Sequence, residues 1–136
     1  MKRSAIVLSI VLMPTLSHAS KWVLYGVDTN KTIYSYLDLE SLRILDRSNK
    51  IVKVLGKNIY KIPMQDMQGN DFDYSIADWN VDCNNQAMQQ TSAKYFSKSG
   101  KLISENSWDY RAWMQMDPRS VGGMQIKMTC KKAGFK

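Results

Sequence analysis

The sequence predicts one antiparallel β-sheet domain of about six strands, tied together by a single disulfide. Three observations carry that expectation. In YSIADWNVDC (74–83), Ala77, Trp79, Val81 and Cys83 alternate with Asp78, Asn80 and Asp82, the two-residue period of a half-buried strand. Candidate strands follow one another with short polar turns between them, which favours a meander over crossover units. The chain has two cysteines, Cys83 in that strand and Cys130 near the carboxyl end, so only one connectivity exists and it would pin the tail to the middle.

Residues 1–19, MKRSAIVLSIVLMPTLSHA, place Lys2 and Arg3 before an apolar run over 5–13, then Pro14 and Ser17-His18-Ala19. This is the three-part layout of a secretory signal peptide, and its apolar run is too short to span a bilayer; the alternative is an uncleaved anchor. Cleavage after Ala19 leaves 20–136, which is 136 less 19 or 117 residues: one domain, long enough to bury a core without metal staples. An exported chain meets an oxidising compartment, so the cysteines are expected to be bonded, and their wide spacing makes the bond structural. The mature part carries 17 basic against 12 acidic residues, a balance of +5. That excess keeps a protein soluble and also favours anionic surfaces such as headgroups, sulfated glycans or acidic protein patches.

Taken in order, Trp22, Leu24 and Gly26 alternate with Val23, Tyr25 and Val27, predicting a strand over 21–27, a turn over 28–31 and a second strand over 32–37. The stretch 38–45 (DLESLRIL) reads either as a short helical turn capped by Asp38 or as a bent connection. In 50–62, Val52, Val54, Tyr60 and Ile62 share one parity and Lys53, Lys57 and Lys61 the other, with a turn expected over 56–58 and an end at Pro63. An exposed loop is expected over 64–73. Beyond Cys83, 86–96 reads as a strand, 97–101 as a turn and 102–107 as a further strand. The tail stays open. Met124, Ile126, Met128 and Cys130 alternate like a strand, whereas Pro118-Arg119-Ser120 resembles a helix entry with Ser120 as N-cap. Gly122 and Gly123 weigh against a helix at about 1 kcal/mol each.

The lone histidine, His18, leaves with the signal peptide, which removes histidine general bases, histidine-dependent triads and histidine metal sites from the mature chain. Asp78 and Asp82 share a strand face but stand roughly 13 Å apart, too far for a catalytic dyad, and Asn70-Asp71-Phe72-Asp73 lacks the glycine and distal glutamate of a calcium loop. The expectation is a non-enzyme without cofactor or metal, with a protein or anionic glycan as partner and no nucleic acid. Candidate partner-binding residues are the basic row Lys50, Lys53, Lys57 and Lys61 and the aromatic stretch Trp108, Tyr110 and Trp113, which either covers a sheet face or forms an exposed contact patch. Trp22, Trp79 and Tyr95 are expected as strand packing.

Several of these segments occur together in one known family. They are KWVLY (21–25), IYSYLD (33–38), VDC (81–83), Tyr95-Phe96 before Gly100, DPRSVG (117–122) and the final Cys130-Lys131. In that arrangement the chain resembles the surface-adhesin protein E family of Gram-negative bacteria. The resemblance implies an α+β fold in which a C-terminal helix, opened by Ser120, is held to the concave face of a six-stranded antiparallel sheet by the Cys83–Cys130 disulfide. It also implies an adhesin for host extracellular-matrix or serum proteins, and a homodimer. The family's surface-exposed adhesin is a lipoprotein, whose processing site needs a cysteine where this chain has Ala19-Ser20. The expected location is therefore the periplasm or the medium, ahead of the cell surface.

Overall fold

The computed structural model describes residues 21–135, so the expected signal peptide lies outside the described residues. Six strands run in sequence order, each antiparallel to the one before: β1 Trp22–Val27, β2 Ile33–Asp46, β3 Ile51–Gln65, β4 Asp71–Asp82, β5 Ala87–Phe96 and β6 Leu102–Ser107. A two-residue strand, β7 Met114–Gln115, pairs with Ala87 and Met88 of β5, and the helix α1, Val121–Lys132, packs across one face of the sheet. The fold is the α+β arrangement that the resemblance implied.

Six of the connections are each set by a short polar side chain at the start. Asp28 accepts the backbone N–H groups of Thr32 and Ile33, Asp46 that of Asn49, Asp66 those of Gln68 and Asn70, and Asp82 those of Asn84 and Asn85. Ser97 Oγ takes the N–H of Lys101, and Asp117 that of Arg119 at the entry to α1. A carboxylate that accepts donors the turn would otherwise leave unpaired is the Asx-turn device, and it fixes where each strand reverses. Hydrogen bonds hold four of these carboxyls below the ordinary aspartate range, led by Thr32 on Asp28, Asn49 on Asp46, Asn70 on Asp66 and Arg119 on Asp117.

The core lies between α1 and the inner sheet face. Leu37, Val54, Val81, Met88, Ile126 and Cys130 form its buried cluster, with Tyr25, Trp79 and Phe135 packed around it. Tyr25 donates its hydroxyl to Gln125 Oε1 at 2.9 Å, and burial pushes its pKa up to about 12. Two constraints seat the helix. Cys83, just past β4, is bonded to Cys130 in the last turn of α1, with Cα atoms 5.9 Å apart. At the other end Ser120 caps the helix by accepting Gly123 N–H at 3.0 Å while its hydroxyl donates to Asp117 O at 2.6 Å. This folds 117–118 back so tightly that a Cβ on Gly123 would stand 2.1 Å from Asp117 O. The glycine that weighed against a helix by propensity is thus the residue that lets the cap form.

Four local expectations are corrected. Residues 38–45 are neither helix nor connection but continue β2 through a bulge: Asp38 still accepts Glu40 N–H, yet Ser41 Oγ donates to Asp38 O and accepts Leu55 N–H, restoring the ladder. No turn interrupts β3 at 56–58; Gly56 is needed because the Trp79 ring crosses it, 3.1 Å from where a Cβ would sit. Pro63 does not end β3, because it falls where the register with β4 jumps from Ile59 to Met64 and no donor is required. The loop expected over 64–73 shrinks to the turn around 66–70, its flanks joining β3 and β4.

Three outcomes are expected. Replacing both cysteines by serine lowers unfolding free energy by roughly 4 kcal/mol on loop-entropy grounds, read from urea denaturation. Gly123→Ala costs on the order of 3 kcal/mol, because the atom it meets is backbone, whereas Gly122→Ala costs less because it meets the flexible Met116 thioether. The carboxyls of Asp28, Asp46, Asp66 and Asp117 have folded-state pKa values below their ordinary value of 3.8, so the stability they add is present above that pH and lost as pH falls through the depressed values. Thermal melts followed by circular dichroism are expected to drop in midpoint below about pH 4, and Asp66→Asn is expected to flatten that drop.

Candidate binding face

The sheet face opposite α1 is built by the same alternation that builds the core. Where Val54 and Gly56 turn toward the helix, Lys53, Lys57 and Lys61 of β3 turn away from it. Antiparallel register then fixes their neighbours. One row across the sheet reads Tyr34, Ile59, Tyr74, Phe96 and Leu102; the next reads Tyr36, Lys57, Ile76, Lys94 and Glu105. Tyr74 and Phe96 stack with centroids 4.9 Å apart and planes 11° from parallel.

The cations sit over this aromatic surface. Lys57 Nζ lies 4.7 Å from the Tyr74 ring centroid and 5.6 Å from that of Trp22, and Lys61 Nζ lies 4.9 Å from that of Tyr34. Attraction to the negative faces of the rings, about 0.5–1 kcal/mol at an exposed site, limits where each ammonium group can go. Lys53 is held differently, 3.8 Å from Asp78 Oδ1, while Asp78 Oδ2 accepts the Ser92 hydroxyl at 2.7 Å. An open pair of this kind contributes at most about 1 kcal/mol and is screened by salt.

Lys50 does not belong to the row. It occupies the β2–β3 turn with a φ of 55°, and its Nζ lies 5.9 Å from the centroid of Phe135, which packs on the helix-side core. Its even position in the strand alternation already set it apart from Lys53, Lys57 and Lys61. Trp22, expected as packing, stands half-buried on the lysine face beneath Lys57. Trp79 packs against the core cluster.

Trp108, Tyr110 and Trp113 are not one patch in contact. Trp108 is half-buried beside β5, its N–H bonded to Thr91 O, with the Arg111 guanidinium 4.1 Å over its ring. Arg111 in turn donates to Gln90 Oε1 at 2.6 Å, and its carbonyl accepts from Gln89 Nε2. Tyr110 projects with 81% of its surface exposed, and Trp113 is 40% exposed. Trp108 and Arg111 also wall a cleft of about 260 Å³ with Phe72 and Tyr95.

Three of the four aspartates singled out from sequence are engaged in the fold. Asp78 faces Lys53 and Ser92, Asp82 caps the β4–β5 turn, and Asp73 accepts Lys98 N–H at 2.7 Å. The four aspartates with resolved shifts are pushed down, opposite to the raised pKa of a general acid. Among the described residues no group of three His, Cys, Asp or Glu side chains is arranged to hold a metal ion. No helix among them is long and apolar enough to cross a membrane.

Sequence reasoning does not group the aromatic members of this face, Trp22, Tyr34, Tyr36, Tyr74 and Phe96, as contact residues, because they come from four strands and only the pairing register unites them. No lysine shares a strand with Trp22, Tyr34, Tyr36 or Tyr74, so nothing within a single strand marks them as neighbours of the lysine row.

The sheet-and-helix arrangement is matched by two solved structures of Haemophilus influenzae protein E, each with a TM-score of 0.60 and 13% sequence identity. The first match covers 89% of this chain and 91% of that one; the second, a structure of crystal form II, covers 93% and 99%. At that identity the likeness speaks for the fold. A search of curated proteins returned no match. The family model for surface-adhesin protein E matches residues 22–131, nearly all of the described domain. The chain belongs to the surface-adhesin protein E family.

Proposed function

We propose that the protein is an exported, non-enzymatic binding protein of the adhesin kind, which offers the face carrying Lys53, Lys57 and Lys61 to an anionic partner on a host extracellular-matrix or serum protein, or to an anionic glycan. Residues 1–19 are its signal peptide and 20–136 its mature chain. The observation that carries this reading is Lys57 held over the rings of Trp22 and Tyr74. A cation already positioned on an aromatic surface loses little side-chain freedom on binding, and Trp and Tyr are the residues on which interface energy concentrates. The surplus of mature positive charge would steer an anionic partner in and make capture salt-dependent. Tyr110 and Trp113, the most exposed aromatics of the connection before α1, are proposed as a secondary contact. Family membership supports a non-enzyme, and the committed aspartates supply no acid–base pair.

A second reading places the protein free in the periplasm, as an inhibitor or assembly partner within the envelope. It is favoured by the use of both cysteines in the disulfide and by Ala19-Ser20 at the expected cleavage point. Protease added to intact cells separates the two: digestion supports display at the surface, and full protection supports the periplasmic role.

The triple change Lys53→Glu, Lys57→Glu and Lys61→Glu is expected to cut capture of the protein by immobilised matrix protein or heparin at least tenfold. Wild-type capture is expected to fall as salt rises from 50 to 500 mM. Surface plasmon resonance checks both, and unchanged capture by the triple variant overturns the assignment of this face.

A further inference from the structure

A groove of about 620 Å³ runs beside α1, on the side of the helix turned toward the β4–β5 turn. One wall is Gly123, Ile126, Lys127, Cys130, Lys131 and Gly134, a spacing of three and four residues that marks a single side of a helix. Cys83 and Gln86 form the other wall, and the ends are Pro118, next to the helix entry, and Phe135, just past its last turn. Its helical part, from Gly123 to Lys131, is about 12 Å long at the helical rise, and Gly134 and Phe135 carry the groove past the helix end, room for much of a fatty acyl chain. At the Phe135 end, Gly134 has nothing within 4 Å of where a Cβ would stand, which keeps that end open.

Its floor and its rim differ in chemistry. The floor is the disulfide, Ile126, Pro118 and the Phe135 ring, with Ile126 and Cys130 buried. The rim carries the exposed ammonium groups of Lys127 and Lys131, joined at the Phe135 end by Lys50, and no carboxylate lines the groove. Three positive charges outweigh the half-unit negative pole of the helix end. A pocket of this size, mostly apolar with a few polar groups at one margin, suits a small amphiphile, and the sign of the rim selects an anionic one.

We propose that this groove binds a long-chain carboxylate, its acyl chain lying along Ile126, the disulfide and Phe135 and its carboxylate at Lys127 and Lys131. The site is separate from the lysine face of β3 and stands whether or not that face binds a matrix protein.

The test is a titration of the disulfide-bonded protein with laurate, kept below its micelle concentration, followed by amide chemical shifts in NMR, with acetate as the chainless control. Expected are saturable shifts centred on Gly123, Lys127, Lys131 and Gly134, none with acetate, and at least tenfold weaker binding of laurate to the Lys127→Glu/Lys131→Glu variant. Both lysines are exposed, so that variant keeps the fold, which its circular dichroism spectrum checks. Lys57→Glu/Lys61→Glu on the other face is expected to bind laurate as the wild type does. Absence of saturable shifts, shifts centred on the β3 lysine face, or equal affinity in the Lys127→Glu/Lys131→Glu variant overturns the proposal. Concentration-dependent shifts of the groove residues without laurate also overturn it, by assigning the groove to a second copy of the chain.

Discussion

Everything on one side of the sheet depends on holding a short helix down. A helix of 12 residues with two glycines in its first turn has no stability of its own in water. It persists because Ile126 and Cys130 bury against Leu37, Val54, Val81 and Met88, and because its two ends are fixed by different means. The carboxyl end is bonded to the strand it covers; the amino end is locked by Ser120 and by the close pass of Asp117 over Gly123. Remove either and the inner sheet face, with its row of aliphatic side chains, loses its cover. The hydroxyl of Tyr25 and the amide of Gln125 add a polar contact between helix and sheet, and Gln125 Nε2 finds no protein partner there.

Because α1 closes one face, the opposite face is free to be different. Strand alternation sets the lysines and aromatics of the outer face between residues that point to the helix side, so one pattern specifies both the core and the exposed face. The rings on the outer face would be exposed apolar surface in isolation. Set beneath Lys57 and Lys61 they become sites for charge, and the charges gain fixed positions in return.

Much of this was legible in the residues. The two-residue period of Ala77, Trp79 and Val81 marked β4, and two cysteines left one bridge to make. What sequence reasoning missed has a common cause: the meaning of a residue depends on what the paired strand lays beside it, not on its neighbours in the chain. Gly56 looks like a turn until the Trp79 ring lies on it, and Pro63 looks like a strand end until the bulge removes the need for its donor. Ser41 is unremarkable in DLESLRIL until it receives Leu55 N–H from the neighbouring strand. The tail was ambiguous for a related reason, since its methionines alternate with polar residues and only the cap geometry and the family resemblance favour a helix. The outer face was half visible, as a lysine row, because lysines share a strand; its aromatics do not.

The aspartate that heads four of the strand turns bears on how such a surface is kept in register. In an open meander a slip of one residue between two strands would exchange the two faces, sending lysines inward and valines out. Burial of the inner face opposes that slip strongly where α1 packs, on β1 through β5, and weakly at the strand ends it does not cover. It is at those ends that Asp28, Asp46, Asp66 and Asp82 tie down the turn backbone, each with its own pair or single N–H. Turn chemistry therefore does for the ends of the sheet what the helix does for its middle, and the placing of Lys57 and Lys61 over their rings depends on both.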